Sequence, residues 1–216
     1  PERIKTLSRE FAGKVRTANA PGILKGFLFP LLGRLTLGSK HVAPMDGFMP
    51  VMLLKKYGTS MNNTMASVTG DAPLKNWGGS TPDYGWSRYR HLNPDGIIKR
   101  EVRKYHCSAC VIGCGGICDI TGVKDGAFTR THKPEYETAA AFGGLVLNKD
   151  LDAIFYINEL LNRAGMDTIS AGGAVAFAIE CYQNGLISKE DTGGLELGWG
   201  DSETIIALLK KMIARE

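Results

Sequence analysis

Four cysteines fall within twelve positions, in the run His106-Cys107-Ser108-Ala109-Cys110-Val111-Ile112-Gly113-Cys114-Gly115-Gly116-Ile117-Cys118, and a fifth, Cys181, stands alone. A two-residue gap followed by a three-residue gap lets one tight loop turn three thiolates toward a single centre. The flanking glycines let backbone N–H groups approach inorganic sulfide. Soft thiolates select zinc, cuprous ion or an iron–sulfur cluster. Structural zinc usually takes two CxxC knuckles separated by a loop, and no second knuckle is present, so an iron–sulfur site is the better reading. A four-iron cluster wants four ligands: Cys107, Cys110, Cys114 and Cys118, or three of these with a distant partner. Cys181 lies in the apolar stretch Phe177-Ala178-Ile179-Glu180-Cys181-Tyr182 and reads as an inert buried thiol. His106 reads as a hydrogen-bonding neighbour of the loop rather than a ligand.

The rest of the chain suits that chemistry. With 216 residues, 44% hydrophobic and 22% charged, the composition is that of an ordinary globular protein. A chain this long builds a core without disulfides, so clustered cysteines indicate metal binding in a reduced, cytoplasmic compartment. The net charge of +4 hides a gradient: residues 1–60 carry ten basic and three acidic side chains, residues 151–216 five basic and ten acidic. No run of five or six like charges occurs, which argues against a nucleic-acid partner. The longest apolar stretch, Ile23 to Leu37, is interrupted by Lys25, Pro30 and Arg34 and is too short for a membrane span.

The elements that must position the cysteines read as mainly α, a multihelical domain with long ordered loops. Ile4, Leu7, Phe11 and Val15 recur at helical steps over Arg3 to Arg16. Leu151, Ile154, Phe155, Ile157, Leu160 and Leu161 make one apolar face that stops at Gly165. Ala171 to Tyr182 predicts a small-residue helix ending at Asn184-Gly185, and Asp201 caps a helix carrying Ile205, Ile206, Leu208, Leu209, Met212 and Ile213. Gly58 to Leu92, rich in Gly, Asn, Pro, Ser and Thr, predicts irregular but ordered loop, since Trp77 and Trp86 argue against a disordered linker. Few segments alternate with a strand period, which disfavours a core built on a sheet. In Lys133-Pro134-Glu135-Tyr136-Glu137-Thr138, two carboxylates two residues apart at a helix start do not face each other; one would serve the helix N-terminus.

Taken in order, Tyr57-Gly58-Thr59, Gly70-Asp71-Ala72-Pro73-Leu74-Lys75-Asn76-Trp77, the cysteine spacing, Lys133 to Thr138, Gly165-Met166-Asp167-Thr168-Ile169-Ser170 and Gly198-Trp199-Gly200-Asp201 resemble the tungsten-dependent aldehyde:ferredoxin oxidoreductase family. The resemblance runs from about residue 50 to the C-terminus. It implies a chain about three times as long, in which a β-rich N-terminal domain cradles a tungsten (or molybdenum) bis-pyranopterin and two helical domains cover its other side. Residues 1–216 resemble the first of those helical domains as a single domain. A chain that opens on Pro1 and closes on the helix-like Lys210 to Glu216 is expected to be a segment of a longer enzyme, one heavier than 23.4 kDa.

Carried over position by position, the resemblance implies that Cys107, Cys110 and Cys114 ligate a 4Fe-4S cluster. The fourth ligand would come from a DxxGLC segment that this sequence lacks, leaving Cys118 as a packing residue. Asn162, Gly165, Met166 and Asp167 fall on a DxxGLD motif that contacts one pterin. Here Asn162 replaces Asp and Met166 replaces Leu, so a charge is missing at the first position. A glutamate of the Pro134-Glu135-Tyr136-Glu137 motif would move protons near the metal if burial raised its pKa; Glu137 is the preferred candidate and Glu135 the alternative. The implied reaction is oxidation of an aldehyde to a carboxylate, with electrons leaving through the cluster to ferredoxin. The other domains of the same enzyme, and a second copy of it, are the further partners. Two alternatives remain: a relative that reduces an aromatic-ring thioester, and a non-catalytic zinc- or cluster-binding module.

Overall fold

In the computed structural model, the described residues are 49–89, 92–108, 110 and 112–216. The helix expected over Arg3 to Arg16 and the apolar stretch Ile23 to Leu37 lie outside them. The described residues form two compact units, one comprising 49–56 with the described part of 105–115, the other 57–104 with 116–216.

In the first unit, the described residues 49–56 belong to helix α1 (Met49–Tyr57). It buries Val51 and ends on Lys55 and Lys56, whose charges suit the negative end of the helix dipole. The unit's other described residues belong to the cysteine loop and its flanks, within 105–115.

The second unit is mainly α. In chain order it holds α2 (Asn62–Thr69), α3 (Thr81–Tyr89), α4 (Pro94–Ile98), a three-stranded sheet, α5 (Tyr136–Ala141), α6 (Leu151–Ala164), α7 (Thr168–Gln183) and α8 (Ser202–Ala214). Strands β1 (Glu101–Tyr105), β2 (Gly115–Asp119) and β3 (Arg130–His132) lie in that order, β2 pairing antiparallel with β3 so that Cys118 faces Thr131. Ile154, Phe155, Ile157 and Leu161 of α6 form the centre of the core with Val175, Ala176 and Ile179 of α7 and Ile205, Ile206 and Leu209 of α8. Burial of each of the larger side chains, alanine excepted, stabilises the fold by about 1.5–3 kcal/mol before chain entropy is set against it. Helix α5 packs on α7 at very short range: a Cβ on Gly172 would lie 2.7 Å from the Ala141 Cβ. The Thr138 and Thr168 hydroxyls meet at 2.8 Å along the same seam.

The helix ends follow the sequence. Gly165 closes α6 at φ 66°, its N–H donating to Leu161 and Asn162 carbonyls. Asp150, Asp167 and Asp201 accept backbone N–H bonds at the starts of α6, α7 and α8. Because Asp167 caps it, α7 begins three residues before the expected Ala171.

One expectation is corrected. The stretch 58–92 is not simply loop: it contains a 3-10 turn at Gly58–Met61 and helices α2 and α3. Helix α2 has no amphipathic stripe because its inward side is polar. Asn63 donates to the Leu92 carbonyl at 3.3 Å, and Ser67 donates back to Asn63 O at 2.9 Å. Helix α3 is broken at Gly85, which adopts φ 40°, ψ 148°. The small sheet carries no alternation to read, since β1 is largely exposed, β2 opens on two glycines and β3 has three residues.

The Asp201 cap makes a pH prediction. Its carboxyl sits below the ordinary 3.8 because the Thr204 hydroxyl donates to it, an effect that outweighs partial burial and is reinforced by the Thr204 and Glu203 amides. A depressed folded pKa adds stability that is present above the unfolded value and lost as pH falls through the folded one. The melting temperature is therefore expected to drop as the pH falls below the ordinary carboxylate value of 3.8 toward the lower folded one. Asp201→Asn, which caps without charge, makes that drop shallower when melts are followed by circular dichroism.

Candidate functional site

In the cysteine loop, Cys107 is exposed, Cys110 and Cys114 are half-buried, and none forms a disulfide. The Cys110 N–H donates to Cys107 O at 3.0 Å, closing the CxxC turn. Backbone N–H groups of Gly113 and then Ile112 point at the Cys110 sulfur and lower its pKa against a small effect of burial. Gly113 is required twice: its φ is 64°, and a Cβ there would lie 2.3 Å from the His106 ring. His106 is therefore a packing neighbour of the loop. Among the described residues no three His, Cys, Asp or Glu side chains are gathered as a finished metal site. The donor chemistry nonetheless suits an iron–sulfur cluster, with three cysteines outside any disulfide on one loop and amides directed at the Cys110 sulfur.

Cys118 has a different environment. It is fully buried in the core on β2, and burial first, then the Glu101 carboxylate, push its thiol up to about 12. A thiol held neutral in this way is a packing group. Cys181 is half-buried on α7.

Beside Cys118 lies a buried ion pair. Lys133 Nζ meets Glu101 Oε2 at 3.0 Å, the two side chains being only 1% and 9% exposed, and Lys104 takes the other Glu101 oxygen at 2.9 Å. A Cβ on Gly116 would lie 2.7 Å from Glu101 Oε2, so the glycine makes room for the carboxylate. Lys133 N–H also donates to Gly116 O at 2.7 Å. The pair ties the strand entering the cysteine loop to the one entering Pro134-Glu135-Tyr136-Glu137.

At the start of α5 the two glutamates diverge. Glu135 accepts a hydrogen bond from the Thr59 hydroxyl, whose oxygen in turn accepts from the Tyr136 N–H at 2.9 Å. Glu135 is thereby engaged in fixing the helix start. Glu137 is exposed and lines a cavity of about 290 Å³ together with Asp71, Trp77, Tyr136, Leu145 and Ile169. Burial raises the Tyr136 phenol above its usual pKa, helped by the carboxylates of Glu137 and Asp71. The burial that the proton-transfer reading asks of Glu137 is not supplied by the described residues.

Of the Asn162–Asp167 segment, Asn162 and Arg163 line a separate cleft of about 400 Å³. Asn162 lies there on the last turn of α6 with Arg103, Arg130, His132 and Arg163, its amide donating back to Asn158 O at 2.7 Å. Gly165 ends α6, Met166 packs half-buried against the core, and Asp167 holds the Ser170 N–H at 2.7 Å. All three thus have structural duties whatever else they bind. The two cavities do not share a residue, so Asn162 and Glu137 are not brought together within one pocket. The roles of Thr59, Trp77 and the Lys133–Glu101 pair had no signal in local spacing.

Residues 42–216 match the family described as aldehyde ferredoxin oxidoreductase, domains 2 and 3. The tungsten-containing aldehyde ferredoxin oxidoreductase of Pyrococcus furiosus is 34% identical over 164 residues, and that of Pyrococcus abyssi 32% over 166, each alignment covering 76% of this chain and 26% of the relative. The aliphatic sulfonate oxidoreductase, WOR-like subunit, of Pyrococcus furiosus is 30% identical over 63% of the chain and 23% of its own length. The chain thus spans about a quarter of the length of these curated relatives. By the extent of the match, the chain belongs to the aldehyde ferredoxin oxidoreductase family.

Proposed function

We propose that residues 1–216 are one helical domain of a longer tungsten- or molybdenum-pterin enzyme that oxidises aldehydes to carboxylates and passes the electrons to ferredoxin. The observation that carries this reading is the loop of three cysteines outside any disulfide, with backbone amides directed at Cys110, in a chain of this family. Cys107, Cys110 and Cys114 would hold a 4Fe-4S cluster, completed by a ligand from elsewhere in the enzyme. Asn162, Gly165, Met166 and Asp167 would present one pterin edge with hydrogen-bonding groups. When bound, the metallopterin supplies the two-electron oxidation of the carbonyl carbon and the cluster the single-electron exit.

The chain's own residues divide the remaining work. Glu137, free of the contacts that engage Glu135, takes a proton from the water that adds to the aldehyde. Tyr136, kept as a neutral phenol, donates a hydrogen bond to the carbonyl oxygen. Other domains of the enzyme exclude water from the cavity, and a second copy can complete an oligomer. No helix of the described residues is long and apolar enough to cross a membrane. Cysteines outside any disulfide accord with a reducing, cytoplasmic setting.

The test is metal analysis of the complete protein purified without oxygen. Tungsten or molybdenum together with iron and acid-labile sulfide is expected, with aldehyde oxidation coupled to ferredoxin. Cys110→Ser should lose most of the iron, whereas Cys118→Ser should keep it. A colourless protein holding zinc alone would overturn the reading.

A further inference from the structure

Three consecutive residues, Lys75, Asn76 and Trp77, lie in the left-handed region at φ 45°, 48° and 67°. Asparagine tolerates this conformation, but a bulky tryptophan there carries a steric cost that the surroundings must impose. They do so with several bonds. Lys75 N–H donates to Gly144 O at 3.1 Å and Asn76 N–H to Leu145 O at 2.9 Å, while the Gly78 and Gly79 amides return to Lys75 and Leu74 carbonyls at 3.0 Å. The Asn76 amide holds Glu180 across a sequence distance of 104 residues. Gly144 has no room for a side chain, since its Cβ would fall 2.7 Å from Leu74. The turn is therefore fixed on α7 and on the 3-10 turn Gly144–Val146, yet the indole it presents remains 74% exposed.

An exposed, strained tryptophan adds nothing to the core, and it stands on the rim of the Glu137 cavity. The apolar surfaces there come from Trp77, Leu145 and Ile169, while Asp71, Tyr136 and Glu137 supply the polar groups. We infer that Trp77 is the specificity-determining wall of this cavity, stacking on flat, uncharged acyl groups, while Asp71 and Glu137 turn anionic ones away. This deepens the proposed function and rests on the Glu137 cavity being its substrate site. Aromatic stacking supplies the attraction, and like charge the discrimination. The same repulsion favours departure of a carboxylate product.

The experiment uses the complete protein and two probes of one shape, neutral benzamide and anionic benzoate, with binding measured by calorimetry. Benzamide should bind at least about tenfold more tightly than benzoate. Trp77→Ala should weaken benzamide about tenfold and lower the kcat/KM ratio of benzaldehyde to acetaldehyde by a similar factor, with Trp77→Phe retaining most of both. Trp77→Gly, which relieves the left-handed strain, should weaken benzamide without lowering the melting temperature. Equal losses for both aldehydes, a lower melting temperature in all three variants with unchanged benzamide affinity, or benzoate binding as tightly as benzamide would each overturn the inference. Because benzamide binding needs no metal, the two readings separate. Trp77-dependent binding in a protein that oxidises no aldehyde sinks the enzymatic reading alone, and aldehyde oxidation with an unchanged ratio in Trp77→Ala sinks this one alone.

Discussion

Glu137→Gln is expected to lower kcat/KM for aldehyde oxidation by the complete enzyme about 10²–10⁴-fold, the usual contribution of a positioned general base. The amide keeps the shape of the side chain and its place in the cavity but no longer accepts a proton. Glu135→Gln is the control, because it changes the neighbouring carboxylate of the same motif. Glu135 is engaged by Thr59, which also takes the Tyr136 N–H, so its loss should act through the start of α5. The expected signature is a lower melting temperature with a much smaller loss of kcat. Steady-state kinetics and thermal melts on both variants decide the matter, and equal losses of kcat would remove the distinction between the two carboxylates.

Lys133→Met should be the most destabilising single change in the second unit. The ammonium is 1% exposed and its partner carboxylate 9% exposed, so removing one member leaves the other charge buried. Such a break costs about 3–5 kcal/mol, although replacing both members is often near neutral. Lys104 still reaches Glu101, but it is 39% exposed and compensates only in part. The double variant Glu101→Gln/Lys133→Met is therefore expected to recover most of the loss. Denaturant titration of the four proteins measures the coupling directly, and additive losses in the double variant would show that the pair does not act as a unit.

The positions of α6, α7 and α8 could be read because their signals are local: an apolar face of period 3.6, Gly165 as a stop, Asp201 as a cap. The cysteine loop raised a metal-binding expectation for the same reason, since its donors fall within a few residues of one another. Helix α2 was hidden because tertiary hydrogen bonds from Asn63 and Ser67 replace the apolar stripe, and the strands because they are short and interrupted by glycine. The division of labour between Glu135 and Glu137 depends on Thr59, 76 residues away. The Lys133–Glu101 pair spans 32 residues. The Glu137 cavity draws on a loop, a helix start and the first turn of α7, a combination that no spacing in one segment announces.

The close seam between α5 and α7 bears on how this site could diversify over generations. The cavity floor is made of Ala140 and Ala141, which are also core residues, 8% and 4% exposed, and Gly172 opposite has no space to yield. Any larger residue on the floor would push two helices apart, so a change in cavity depth cannot be selected without a loss of folding stability. Trp77 and Ile169 are 74% and 50% exposed and are under no such coupling. Lineages that shift from one acyl group to another are expected to differ at those two rim positions while keeping the alanines and the glycine.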